Sequence, residues 1–252
     1  RVSPVSASIC DGAATGVSRI RSGAGTFETT TFSNPAGSVT VNMGSGGDTL
    51  TVEALDDAFD AAVSINGQAG EDTIDVRTRT GSQTYTISGG GDDDELIGPT
   101  AGATWHVTAN DAGDVGGVGA IDFSGVENLT GAGGDDVFAF SDGVQVTGLV
   151  EGGAGADRLD FSAFTTGLTV TLPGSGTGTV TDGAATTYAT HQNVENFTSG
   201  SGDDQITADP LTGAARDVQG GPHPTGDTLT VDAQGEAVEV TSDTISFLGG
   251  GG

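Results

Sequence analysis

The residues best suited to chemistry in this chain are carboxylates, and they recur at one place in a repeated segment. A turn of glycine and other small residues is followed by one or two acids and then by a polar/apolar alternation. It runs from Gly44 through Asp48 to Val52, from Gly67 through Asp72 to Val76, from Gly131 through Asp135 and Asp136 to Phe140, and from Gly152 through Asp157 to Phe161. Weaker copies surround Asp92 and Asp93, Asp203 and Asp204, and Asp227. With one aspartate per copy as anchor, the series is Asp48, Asp72, Asp93, Asp136, Asp157, Asp204 and Asp227, at intervals of 24, 21, 43, 21, 47 and 23. Two intervals are double, and Asp114 and Asp182 fall in the vacant slots. From 48 to 227 is 179 residues over eight intervals, or 22.4 per repeat. Asp93 is out of step, because Leu96 follows it one position late.

The elements that carry these acids must be short strands. The residues two and four after the anchor are apolar in most copies, as in Leu50/Val52, Ile74/Val76, Phe138/Phe140, Leu159/Phe161 and Leu229/Val231. This alternation sends one side inward and leaves the Thr/Asp side outward. A second apolar pair lies upstream of the turn, as in Val39/Val41, Val63/Ile65 and Tyr85/Ile87. Thr104–Val107, Leu168–Leu172 and Thr244–Leu248 also read as strands. One repeat cannot bury such side chains, but stacked repeats bury them as continuous columns. Val126-Glu127-Asn128-Leu129-Thr130 and Val194-Glu195-Asn196-Phe197-Thr198 keep the same phase, each Glu nine residues before an anchor.

These observations predict an all-β chain, a single-stranded parallel β-helix or β-roll solenoid of about 22 residues per turn. Residues 1–40 would form degenerate N-terminal turns or a cap, 41–232 the repeat solenoid, and 233–252 a C-terminal turn and glycine tail. The 45 glycines supply turns and close stacking. Stacking would bring equivalent aspartates within about 5 Å. Two like charges at that distance repel by roughly 0.8 kcal/mol in water and by more in a poorly solvated groove. A hard cation removes that penalty. Ca²⁺ accepts six to eight oxygens in tolerant geometry, whereas zinc and copper sites want His or Cys.

Charge narrows the partners. The 252 residues carry 35 Asp and Glu against 7 Arg, giving −28 at pH 7. Such a surface repels nucleic acid and anionic membranes and attracts cations. Cys10 is the only cysteine, which excludes an internal disulfide framework. No stretch approaches the length of a membrane-spanning helix. A first residue of Arg rather than Met suggests a processed form or an excised segment.

The repeats resemble the repeats-in-toxin family of hemolysin-type calcium-binding repeats, with the pattern G-G-x-G-x-D-x-U-x. Gly152-Gly153-Ala154-Gly155-Ala156-Asp157-Arg158-Leu159 matches throughout, and the segments at Asp48, Asp72, Asp136 and Asp204 match with small substitutions. Pro222-His223-Pro224 interrupts the turn before Asp227. The Val-Glu-Asn lead-in is similar to that of long bacterial surface proteins with such repeats. The resemblance spans about residues 40–232. It implies secretion, calcium-dependent folding at the cell surface or beyond it, and a structural or adhesive role. Its calcium ligands would be Asp48, Asp72, Asp93, Asp136, Asp157, Asp204 and Asp227, with the neighbouring Asp92, Asp135 and Asp203. In that family the nonapeptides run in tandem and place ions on both edges. One copy per roughly 22 residues allows ions on one edge at most, between 48/72, 72/93, 136/157 and 204/227.

Parallel β-helices also house polysaccharide lyases and hydrolases, which need a constellation that breaks the repeat. Here the acids recur in one slot, which favours structure over catalysis. Lys is absent, leaving Arg77, Arg79, Arg158 and Arg216 as candidate bases. Arg77 and Arg79 flank a strand end among acids, and Arg158 adjoins Asp157, so ion pairing is the simpler role. His106, His191 and His223 share no spacing, and Trp105, Tyr85 and Tyr188 read as packing residues. No nucleophile-elbow motif occurs. The expected protein is therefore not an enzyme. It is a calcium-stabilised structural or adhesive module, or a filament or surface-layer subunit whose open strand ends pair with copies of itself. Surface glycans are the other expected partner.

Overall fold

The computed structural model describes residues 6–12, 14–22, 29–56, 58–77, 83–116, 121–209, 211, 215–222, 226–231, 237–241 and 244–248. Every regular element among them is a β-strand. Gly, Thr, Val and Asp, which dominate the sequence, all disfavour helix.

The chain opens with an antiparallel meander of β1 (Ser6–Asp11), β2 (Val17–Ser22) and β3 (Thr30–Ser33). From β4 (Ser38–Ser45) and β5 (Thr49–Val52) onward it alternates between two sheets. β6 (Ala62–Ala69) and β8 (Tyr85–Gly91) extend the sheet of β4 in parallel. β7 (Thr73–Asp75) and β9 (Glu95–Ile97) extend that of β5 and β1. Each pass lies in register on the one before, so that Leu50, Ile74 and Leu96 align in one sheet and Val63 with Tyr85 in the other.

The rhythm breaks twice. β10 (Thr104–Ala109), β11 (Ala112–Gly116) and β12 (Ile121–Ser124) form a meander inside the β4 sheet. β12 returns to pair with β8, and β10 offers its far edge to β14 (Val137–Phe140). β13 (Asn128–Thr130), β15 (Leu149–Glu151) and β16 (Arg158–Asp160) resume the parallel passes. A second meander, β17 (Thr169–Leu172), β18 (Thr177–Thr181) and β19 (Thr187–Gln192), lies in the β5 sheet, with β19 on β15 and β17 on β21 (Gln205–Ala208). β20 (Asn196–Thr198) and β22 (Arg216–Gln219) complete the run on β16, and β23 (Thr228–Val231) adds to β21. The hairpin β24 (Ala237–Thr241) and β25 (Thr244–Leu248) attaches to β22 through β25. The β5 sheet has 13 strands and the β4 sheet 12.

The meanders correct the reading of the doubled intervals. Asp114 does not fill a weak repeat; it lies on β11, paired with His106 and Asp122 in register. Asp182 sits in the reversal after β18 and accepts the amides of Ala184, Ala185 and Thr186. Those three donors lower its pKa to about 2. The long intervals are inserted reversals. Two reversals restore the strand direction, so parallel stacking resumes beyond each one.

Apolar side chains from both sheets meet in one core. Trp105 stacks on Phe138 at 5.3 Å, Phe140 on Phe161 at 4.5 Å and Phe161 on Phe197 at 5.8 Å. Cys10 is buried, and its Sγ accepts the Arg19 Nε at 3.1 Å. Among the described residues no helix is long and apolar enough to cross a membrane. Phe161 contacts aromatic rings on three sides and is fully buried. Phe161→Ala is expected to cost about 3–5 kcal/mol in denaturant unfolding, because the rigid column cannot collapse into the void.

Candidate functional site: an inner and an outer line of carboxylates

Where the chain leaves a turn and enters a strand, its amide faces the neighbouring pass and needs an acceptor there. The repeated acid supplies it. Asp72 Oδ1 accepts the Asp48 amide at 2.7 Å, Asp94 Oδ1 that of Asp72 at 2.8 Å, and Glu127 Oε2 that of Asp94 at 2.9 Å. A second run begins after the β9–β10 crossing. Asp136 Oδ1 accepts the Ala103 amide at 2.8 Å, Asp157 Oδ1 that of Asp136 at 2.8 Å, and Glu195 Oε2 that of Asp157 at 2.8 Å. In a third run Asp204 Oδ1 accepts the Leu168 amide at 2.7 Å and Asp227 Oδ1 that of Asp204 at 2.9 Å. The carbonyls of Asp48, Asp72, Asp94, Asp136, Asp157 and Asp204 meanwhile accept amides from the following pass.

The anchors therefore point inward, with the parity of the apolar residues two and four positions later, and not out along a ridge that cations could share. Asp48, Asp72, Asp94, Asp136, Asp157 and Asp204 are all buried, and Asp227 is half-buried. The slot assigned to Asp93 belongs to Asp94, which precedes Leu96 by two as the other anchors precede their apolar residues. Asp93 itself is exposed. The line also changes sides. Its first run lies before β5, β7, β9 and β13, its second before β10, β14, β16 and β20, and its third before β17, β21 and β23. A new run starts at the first strand of each meander, on Ala103 and Leu168, which carry no acid.

Val-Glu-Asn marks the chain's return from a meander, after β12 and again after β19. Glu127 and Glu195 end a run, and the next residue ties both neighbouring passes. Asn128 donates to the Asp94 carbonyl and accepts the Leu149 amide; Asn196 does the same with Asp157 and Asp217. The missed ladder residues Asp94, Glu127 and Glu195 all stood two before an apolar residue, the spacing that defined the anchors.

The second carboxyl oxygen explains a repeated glycine. Oδ2 of Asp72, Asp94, Asp136 and Asp157 is buried and has no hydrogen-bond partner. Each lies over a glycine five residues earlier. A Cβ on Gly67, Gly89, Gly131 or Gly152 would stand 2.5, 2.5, 2.5 or 2.6 Å from that oxygen. With one oxygen on an amide and the other in a dry enclosure, the carboxyl is driven toward its neutral form. Burial raises Asp136 to about 7, against the Ala103 amide and Trp105 indole. It raises Asp94 and Asp157 to about 6 and also raises Asp72 and Asp204.

The outer acids differ. Asp92, Asp135 and Asp203 are exposed. Each accepts an amide of an adjoining pass: Gly70 at 3.1 Å, Ala156 at 2.8 Å and Gly226 at 3.1 Å. Glu71, Asp93 and Glu95 border an open acidic cleft with Asn128 and Thr130.

These positions test the calcium ligand set that the repeat resemblance implies. Asp72, Asp94, Asp136 and Asp157 do not fit: one oxygen of each holds an amide and the other is enclosed against a glycine, so neither faces a shared ion. Among the described residues, no three His, Cys, Asp or Glu side chains converge as a metal-holding group.

The other candidates are engaged in structure. Arg77 grips Asp75 through Nε and Nη2, and Arg158 reaches Asp217 at 2.7 Å and Thr198. Arg216 is fully buried and donates to the Pro173 carbonyl, and burial lowers its pKa to about 10. His191 is buried against the Thr171 carbonyl, and burial lowers its pKa to about 4, so it is neutral at pH 7. His106 pairs with Asp114 at the surface. Trp105, Tyr85 and Tyr188 are core residues. Arg79 and His223 lie outside the described residues. No family model matches the chain, and no curated protein matches it in sequence.

The raised pKa values fix the sign of a pH effect. The folded chain keeps protons that the unfolded chain releases as pH rises between the unfolded value of 3.8 and the folded values of about 6 and about 7. This stabilisation is complete below the unfolded value and is lost as pH climbs through the folded values. Each such carboxyl contributes a slope of about 1.4 kcal/mol per pH unit in that window. Calorimetry at fixed ionic strength should show the melting temperature rising as pH falls from about 8 to about 5. The triple variant D94N/D136N/D157N keeps the accepting oxygen but cannot titrate, and its profile should be flatter. Asp136→Ala leaves the Ala103 amide without its acceptor and should cost about 2–4 kcal/mol. Gly152→Ala places a methyl 2.0 Å from the Asn193 carbonyl oxygen as well as against Asp157, and should prevent cooperative folding.

Proposed function

We propose that this chain is a non-catalytic structural module, a β-roll-like solenoid of about 22 residues per coil whose acids staple the backbone of successive coils. The observation that carries the reading is the set of eight bonds from a repeated acid to an amide of the adjoining pass. Groups spent on such bonds are not free to act on a substrate. Parallel register of successive passes in both sheets supports the coil. The meanders are outgrowths that keep the stack continuous.

Calcium enters this proposal as a counter-ion of the exposed outer acids, not as a ligand that makes the fold. A dispersed cation cloud would relieve part of a −28 charge. A setting at the cell surface or beyond it, with a spacer or adhesive role, rests on the repeat resemblance.

Melting followed by circular dichroism separates self-stapling from ion-dependent folding. The chelated protein is expected to be folded and cooperative. At matched ionic strength, millimolar calcium should move its melting temperature by less than the roughly 2–4 °C that about 1 kcal/mol produces in a chain of this size. A chelated chain that is unfolded and gains strand signal only with calcium would overturn the reading.

A further inference from the structure

We infer that the two ends of the stack are complementary docking surfaces for a second copy of this chain, joined head to tail. The inference rests on the stacked reading proposed above.

The ends are stepped in opposite senses. Among the described residues, the β5 sheet runs on at one end through β1, β2 and β3, while the other sheet stops at β4. At the opposite end the β4 sheet runs on through β25 and β24, while its companion stops at β23. Three strands overhang at one end and two at the other, a mismatch of one strand spacing, about 4.8 Å. Two such steps form a lap joint in which each overhang covers the other copy's shorter sheet.

Strand direction agrees. β25 is antiparallel to β22 and β24 antiparallel to β25, so β24 runs with β22 and hence with β4. By the same two reversals β3 runs with β1, β5 and β23. β23 and the next copy's β3 therefore run parallel and can pair, while β24 runs parallel to its β4 across the one strand position that the mismatch leaves open. Each internal meander already makes a junction of this type, with β12 on β8 and β10 on β14.

The open edge is also apolar. Val39 and Val41 on β4 are half-buried, whereas Val63 and Ile65, their partners on β6, are buried. A cleft of about 190 Å³ lies under the overhang, bordered by Ala7, Ile20, Val41, Met43 and Leu50. The sequence of β24 alternates Val238 and Val240 with polar residues, as β4 alternates Val39 and Val41. An uncovered edge of this kind is a template for strand addition.

Charge selects the orientation. Residues 1–37 hold Arg1, Arg19 and Arg21 against Asp11 and Glu28, a net +1 within a chain of −28. Residues 215–252 hold Arg216 against two Glu and four Asp, a net −5. Head-to-tail contact joins opposite signs; tail-to-tail contact joins like ones. A heterologous joint that does not close produces open chains of copies.

Sedimentation velocity and light scattering across a concentration series test this. The wild-type mass should exceed one chain, grow with concentration and fall with added salt. V39K/V41K blocks one end and V238K/V240K the other, and each alone should stay at the single-chain mass. Their equimolar mixture should double that mass and go no further, since one open head meets one open tail. Circular dichroism melts verify that each variant folds, and T40K on the exposed face of β4 is the second head variant if the lysine pair unfolds it. A wild type that stays single at low salt, or a mixture that does not double, overturns the inference. Failure of the self-stapled reading appears instead in the calcium melts, so the two failures are distinguishable.

Discussion

The structure depends on one bond, from a carboxyl on one pass of the chain to the amide of the adjoining pass. A parallel pair of strands closes its own backbone bonds along the strands, but the residue entering each strand is outside that ladder. Its amide is too deep for water to reach. An orphaned buried amide costs about 1–3 kcal/mol, and the satisfied bond returns about 0.5–1.5. The acid at that position removes a recurring penalty at each pass. The rest of the repeat follows from the geometry of that group. Glycine five residues earlier leaves space for the second oxygen, and the apolar residue two positions later sits in the core beside it.

A line of buried carboxyls would be a poor device if every member were charged. Burial raises Asp94 and Asp157 to about 6 and Asp136 to about 7, so protons remove part of that charge near neutral pH. Each inner acid needs only one oxygen as an acceptor, and the carbonyl oxygen of a neutral carboxyl provides that, less strongly than an anion does. The dry enclosure of Oδ2 then favours the neutral form, and neighbouring acids such as Asp135 beside Asp136 push the same way. At the rim, Asp92, Asp135 and Asp203 are exposed.

Much of this order was legible in the sequence. The alternation around Leu50, Ile74, Phe138 and Leu159 gave the strands, and the return of the glycine–acid segment gave stacked passes. The direction of the acid was not legible. Strand parity turns it inward, two residues before an inward apolar residue, but its charge and its place at a turn favour an outward ridge, and the two signals oppose each other. The residue sits where the backbone leaves the strand geometry, and its side chain folds back over a glycine. Asp94 was hidden by the run Asp92-Asp93-Asp94, in which its place two before Leu96 and its contact with the Asp72 amide separate it from the other two. The meanders were hidden because their strands carry the same Thr/Val alternation as the passes; their sign in the sequence is the change of interval together with the Val-Glu-Asn that follows.

The same letters can therefore specify two chemistries. Gly-Gly-x-Gly-x-Asp at a turn gives an ion ligand if the carboxyl leaves the stack, and a backbone staple if it enters. What decides is the amide of the neighbouring pass. Where the pass spacing leaves it unpaired, as at Asp48, Asp136 and Asp204, the acid is drawn inward. Two strands per pass and one acid per pass leave one such amide each time, so a single repeated carboxyl is enough to hold the stack, and the switch of sides at each meander follows because the unpaired amide moves with the strand that begins the new run.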